Sequence, residues 1–272
     1  MEPKLQRRVQ RYGWDRAASS YEQYWRQRLA PAQNRLVELA ALQPGERVLD
    51  VACGTGLVTF RAAEAVGPSG EVIGTDISRA MVETSQQVAA QRNLEQVRFE
   101  RADAEDLPFP DNTFNVALCA LGRMFVPTPL KALQEWSRVL CPGGRAVAAV
   151  WGHRERCGWA DVFPIIESRV QSDVCPLFFQ LGTQHVLQQA FQGAGFLEVK
   201  TERMQTSLHF ESSEEACGAV FAGGAVALAY TRFDTHTRHD VHAEYLASID
   251  AYGNGNSYTI PGEFVMVSGR KP

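Results

Sequence analysis

From residue 47 onward, short apolar runs alternate with stretches whose apolar positions recur every three or four residues. The run 47–52 follows the turn residues Pro44 and Gly45 and has the pattern of a buried strand. Residues 57–66 predict a helix that stops at Gly67-Pro68, because glycine takes the left-handed position and proline cannot continue the helix. Further strands are predicted at 71–75, 97–100, 114–120 and 145–151. A helix capped by Ser78 places Met81, Ser85, Val88 and Ala89 near one face, and another begins at Thr128-Pro129 and ends at Pro142-Gly143-Gly144. Such alternation predicts an α/β fold, with a parallel sheet covered on both faces and ligands at the carboxyl ends of the strands.

The rhythm breaks after Trp151. Residues 152–182 are rich in aromatics, Cys and Pro; a helix is predicted over 184–192, strand pieces at 197–203 and 206–210 around a bulge, helical structure over 214–252, and a last strand at 264–268. The run 216–230 is apolar but, at 15 residues, short of the roughly 20 a spanning helix needs, so no integral membrane segment is expected. Lys plus Arg number 27 against 31 Asp plus Glu, which disfavours a globally electrostatic nucleic-acid binder. Residues 1–30 are the exception, with seven cations against three acids, and a solvated helix face is the expected reading there. Six cysteines without a CxxC pair, and a charged N-terminus, predict free thiols in a cytoplasmic setting.

The first strand delivers Asp50 and then Cys53-Gly54-Thr55-Gly56, immediately before a helix. Two glycines permit tight backbone turns and close approach of a ligand, and the helix start offers unpaired N–H groups. A tight strand-to-helix connection alone would also explain them. Asp76 ends the second strand twenty residues after Gly56, where an acid can accept hydrogen bonds from both hydroxyls of a ribose; its plainer role is a cap beside Ser78. Adenosine is therefore the expected ligand. A nicotinamide dinucleotide needs a third small residue in the turn, where this chain has Thr59, whereas Asp50 supplies an anion suited to the ammonium of S-adenosylmethionine.

The run Val48-Leu49-Asp50-Val51-Ala52-Cys53-Gly54-Thr55-Gly56 resembles motif I of the class I S-adenosylmethionine-dependent methyltransferases, especially their UbiE-like small-molecule branch. Ala52 stands where the broader family often carries glycine, and alanine is common there in this branch. The resemblance covers residues 44–151. It makes Asp76 the ribose-binding acid and Asp103-Ala104 the pair that contacts adenine, and it matches Arg138-Val139-Leu140-Cys141-Pro142-Gly143-Gly144 to the helix and turn before the fifth strand. It implies a Rossmann-like, mostly parallel seven-stranded sheet with a helical lid. Ile77 and Met81, just beyond the second strand, and Cys119, late in the fourth, complete the candidate cofactor set with Asp50, Ala52, Cys53, Gly54, Thr55 and Gly56. The stretch 12–21 resembles the family's capping helices, with Tyr21 placed to close over the methionine end. Residues 1–43 are thus expected as capping helices, and 44–272 as the catalytic domain with lid insertions at 152–192 and 212–252.

Methyl transfer is an in-line displacement whose catalysis can come largely from orientation, worth about 7–11 kcal/mol, so no acid or base is obligatory. His153, just beyond strand five, is the candidate base for a protonated acceptor, and Arg123, beyond strand four, the candidate to orient an anionic one. Trp14, Tyr21, Trp159, Phe163, Phe178, Phe179, Phe221 and Tyr230 supply more aromatic surface than connections need, which predicts a small, largely apolar or aromatic acceptor; the alternative is that they fill a second core. Cys157, Cys175 and Cys217 would have to converge for thiol capture of arsenite. An NAD-linked oxidoreductase and a non-catalytic adenosine-binding regulator are the competing functions. No Asn-Pro-Pro-Tyr run follows strand four, against methylation of nucleic-acid bases, and no metal is expected.

Overall fold

The computed structural model describes residues 2–170 and 178–272. One helix, α1 (Pro3–Ala40), precedes the sheet. The alternating region follows as β1 (Arg47–Val51), α2 (Leu57–Val66), β2 (Glu71–Asp76), α3 (Arg79–Gln91), β3 (Val97–Arg101), β4 (Phe114–Ala120), α4 (Pro129–Val139) and β5 (Leu140–Trp151). The remainder comprises α5 (Val162–Glu167), α6 (Val186–Gly193), β6 (Leu197–Phe210), α7 (Ser213–Cys217), a π-helical turn (Gly218–Ala222), α8 (Ala227–Tyr230), α9 (Thr235–Ser248), the two-residue β7 (Gly253–Asn254) and β8 (Ser257–Arg270).

The strand order is β3-β2-β1-β4-β5-β8-β6, with β7 pairing only to β8. β1 to β5 are parallel, and β8 runs antiparallel between β5 and β6. The order reverses at β1, so the turn after β1 and the end of β4 flank a crevice at the carboxyl edge, where open α/β sheets take their ligands. The central strands present apolar residues to both faces; Val48, Leu49, Val116, Ala117, Val147 and Ala148 are fully buried, as a sheet covered on both faces requires.

Three elements differ from the sequence expectations. The capping region is a single 38-residue helix, uninterrupted at Gly13 and Pro31. Gly13 is buried, its Cα side 3.9 Å from Leu228 measured from an added Cβ, so packing outweighs the weak local preference of glycine. β6 is one continuous strand of 14 residues because β8, equally long, pairs with it from Thr206–Gly262 to Phe210–Tyr258; the register shift falls earlier, between Leu197 and Lys200. Pro142-Gly143-Gly144 belongs to β5, where a bulge opposite β4 absorbs it, and Gly143 has φ +75°.

Candidate functional site

Asp50 ends a buried strand, and its carboxylate is 1% exposed. One oxygen accepts a 2.6 Å hydrogen bond from the Thr59 hydroxyl, on the first turns of α2, while Oδ1 has no partner among the described residues. Burial pushes its pKa up to about 7, against the lowering by Thr59. Thr59 thus anchors the acid from the position where a dinucleotide turn would need a small residue.

The turn itself is held by Asp76. Its carboxylate accepts the backbone N–H groups of Gly54 at 2.9 Å and Ser78 at 2.8 Å, so the end of β2 fixes the loop after β1. Burial raises its pKa to about 6, and the two backbone bonds lower it. Gly56, at φ +89°, caps α2, and a Cβ there would lie 2.8 Å from the Phe60 ring. Ala52 also sits in the left-handed region, at φ +56°, with its Cβ 2.3 Å from where a side chain on Gly122 would begin. β1 and β4 therefore meet so tightly at the switch point that residue 122 must be glycine.

A cleft of about 750 Å³ opens here. Asp76, Ile77 and Met81 line one side, Asp103 and Ala104 another, and Ala52 and Gly54 the floor. Asp50, Cys53, Thr55, Gly56 and Cys119 stand behind this lining: the thiols of Cys53 and Cys119 are buried and burial pushes both pKa values up, that of Cys119 to about 12. The roof is α1. Arg7, Gln10, Trp14 and Tyr21 line the cleft at spacings of three, four and seven on one helical face; sequence reasoning places Tyr21 at the cofactor and Trp14 among the lid aromatics, and misses Arg7 and Gln10. Asp15 accepts hydrogen bonds from the Ser78 hydroxyl at 2.7 Å and from Ala80 N–H, which pins α1 to the start of α3. Arg7 pairs with Asp103 at 2.8 Å and with the buried Glu105, whose other oxygen accepts the Thr128 N–H. Burial raises the pKa of Asp103 while Arg7 lowers it.

A second cavity, of about 460 Å³, adjoins the first and shares Trp14, Tyr21, Leu121 and Phe125 with it. Trp25, Trp151, Trp159, Phe163 and Phe178 form much of its wall, with ring centroids 4.7–6.1 Å apart in successive contacts. No His, Lys, Arg, Asp or Glu lines it among the described residues. The Tyr21 phenol is buried beside Asp76, Glu22 and Asp50; burial first, and these acids next, hold it well above its ordinary pKa, so it stays protonated.

The other candidates lie elsewhere. His153 flanks a surface groove with His185 and Arg203, its backbone N–H donating to the Glu263 carboxylate, and lines neither cavity. Arg123 is 1% exposed, stacks 5.4 Å from the Trp136 ring and donates to the Pro129 carbonyl; burial lowers its pKa to about 10. Phe221 and Tyr230 stack on each other and on His242 in a second core instead of lining the cavity. Cys157 and Cys217 are buried free thiols, and Cys175 lies outside the described residues. No group of three metal-ligating side chains occurs among the described residues.

Residues 42–170 match the family model of the Methyltransferase domain. The matched segment, 129 of the 272 residues, is a methyltransferase domain. The cleft beside this domain fits S-adenosylmethionine. The unpartnered Oδ1 of buried Asp50 accounts for a cationic group, Asp76 retains acceptor capacity beyond its two backbone bonds, and Ile77, Met81 and Ala104 give apolar walls for a purine. Among known proteins, nocamycin O-methyltransferase of Saccharothrix syringae is 27% identical over 271 residues, 94% of this chain and 96% of that enzyme. Demethylmenaquinone methyltransferase of Geobacillus sp. (strain WCH70) is 43% identical over 106 residues, so the match spans 39% of this chain and less than half, 45%, of that enzyme. The fold is shared with the YcgJ protein of Bacillus subtilis, at TM-score 0.60 and 21% identity over 89% of this chain and 98% of that one. It is shared too with Haemonchus contortus phosphoethanolamine N-methyltransferase 2, at TM-score 0.62 and 16% identity over 95% and 57%.

Proposed function

We propose that the chain transfers a methyl group from S-adenosylmethionine to a small, largely apolar or aromatic acceptor held in the second cavity. The observation that carries this reading is the shared wall: an aromatic chamber without an ionisable lining, apart from Tyr21, has Trp14, Tyr21, Leu121 and Phe125 in common with the cleft proposed for the cofactor. Bound in the cleft, the cofactor supplies a methyl group on a positively charged sulfur. The chain's own contribution is to hold and orient. Asp76 would take the ribose hydroxyls, Asp103 the adenine amine, and Asp50 the amino-acid end. Tyr21, kept protonated, is a donor at the boundary and not a base. His153 and Arg123 face away from the chamber, so positioning and exclusion of water supply the rate enhancement.

The lid is α1 together with the segments around α5 and from α7 to α8, and residues 44–272 carry the catalytic fold. The relatives' names support the substrate class, since nocamycin and demethylmenaquinone are both small molecules. The test is incubation with methyl-labelled S-adenosylmethionine and a panel of phenols, quinols and polar amines. Label should pass to a planar apolar acceptor with equivalent formation of S-adenosylhomocysteine. Labelling of the polar amines alone would refute the assignment of the acceptor class.

A further inference from the structure

The inner face of α1 roofs the two cavities, and its outer face has a composition that the enzyme reaction does not use. Leu5, Arg8, Tyr12, Arg16 and Arg26 are all exposed, and their spacings of three, four, four and ten keep them on one stripe at 3.6 residues per turn. Leu5 and Tyr12, each 46% exposed, are two of the four large hydrophobic residues left exposed among the described residues. The three arginines make no ion pair, hydrogen bond or ring contact among the described residues, whereas Arg7, Arg28, Arg35 and Arg47 are all engaged with acids. From Arg8 to Arg26 the row of charge is about 27 Å long. The acids of the same stretch do not neutralise it: Asp15 is turned to Ser78 and Ala80, and Glu22 is partly buried beside the stripe.

We propose that this face of α1 docks on an anionic lipid surface. The guanidinium row matches the negative potential of the headgroups, while Leu5 and Tyr12 enter the interfacial layer. A nucleic acid would satisfy the arginines but leave an exposed leucine without a role, which is why lipid is preferred. No described helix is long and apolar enough to cross a membrane, so the contact is peripheral. It also sets the roof of the acceptor cavity against the phase in which an apolar acceptor would dissolve, a corollary that rests on the proposed function while the docking itself does not.

The test is sedimentation of the full chain with vesicles of phosphatidylcholine alone or with one-third phosphatidylglycerol. Binding should require the anionic lipid and fall with salt. Each Arg→Gln change at 8, 16 or 26 should weaken it roughly fivefold, and the triple variant roughly a hundredfold. Leu5→Ser with Tyr12→Ser should reduce vesicle binding as well. Cofactor affinity, measured by calorimetry, should be unchanged in every variant, since none of these residues lines the cleft. Equal binding to both vesicle types, no binding to either, or vesicle binding that survives the triple substitution would overturn the proposal. So would capture of an RNA oligonucleotide that outcompetes the vesicles and is indifferent to the Leu5 and Tyr12 changes.

Discussion

In the cofactor cleft the acids at the ends of β1 and β2 are fixed by the neighbouring turns: Asp50 by Thr59, nine residues on, and Asp76 by the N–H groups of Gly54 and Ser78. In the aromatic cavity the wall comes from α1, β5, the segment before α5 and the turn before α8, with Trp25, Trp151, Trp159 and Val226 drawn together from across the chain. Below the roof that α1 provides, the first region is a construction of backbone turns and strand-end carboxylates, which one ligand type constrains. The second is a long-range construction of rings and small residues, which can change its shape without disturbing the sheet. Cofactor binding and acceptor choice are therefore separable, and substitutions should split them.

The largest effect is expected from filling the aromatic cavity. Ala225 lines it and is partly exposed, so Ala225→Phe should lower methyl transfer at least about a hundredfold, as reacting groups are displaced by an ångström or more, with cofactor affinity within about twofold. Gly224 is a poorer site for this test, because a Cβ there would meet the Val220 carbonyl at 2.7 Å and disturb the π-helical turn. A calorimetric titration and a steady-state assay on one preparation would measure both quantities.

The converse change is Asp76→Ala. Loss of charge-assisted bonds of about 1.5–3 kcal/mol each should cost at least tenfold in cofactor affinity, with an intact fold checked by circular dichroism. A smaller effect is pH-dependent. Burial raises Asp50 to about 7 and Asp76 to about 6, so both carboxyls are partly protonated in the free protein near neutrality. A cation favours the ionised forms, and affinity should rise between pH 5.5 and 7.5, with proton release seen as a dependence of the binding heat on buffer. The contribution of these two carboxyls to the stability of the free protein should run the other way. Because both folded pKa values lie above the unfolded value near 3.9, that contribution is fully present below about pH 4 and is lost as pH rises through 6 to 7. The urea midpoint of Asp50→Asn should be flatter across that window. The smallest effect is at His153, where Ala should leave turnover within about twofold, since the ring lines neither cavity.

The same contrast explains what the sequence disclosed. Asp50, the glycine turn, Asp76 and Asp103-Ala104 stand at strand ends that periodicity locates, so residue type and spacing were enough to place them around one crevice. The roof was less legible: Arg7, Gln10 and Trp14 join Tyr21 only once α1 is known to run unbroken across the sheet edge, despite Gly13 and Pro31. Among the aromatics, composition could not separate Trp159 and Phe178, which face the cavity, from Phe221 and Tyr230, which pack into a second core, because that choice depends on contacts with α9. His153 and Arg123 follow strand ends just as the cofactor residues do, and local position alone gave no sign that one turns to the surface and the other into the core beside Trp136.

The central claim is that one cofactor bridges the two regions, with its reactive end at the wall they share. A crystal structure of the S-adenosylhomocysteine complex tests this most directly. The ribose hydroxyls should lie on Asp76, the adenine amine near Asp103, and the sulfur should face the boundary formed by Tyr21, Leu121 and Phe125, with an open path into the aromatic cavity. A sulfur directed away from that boundary, or a ligand bound without contact to Asp76, would contradict it.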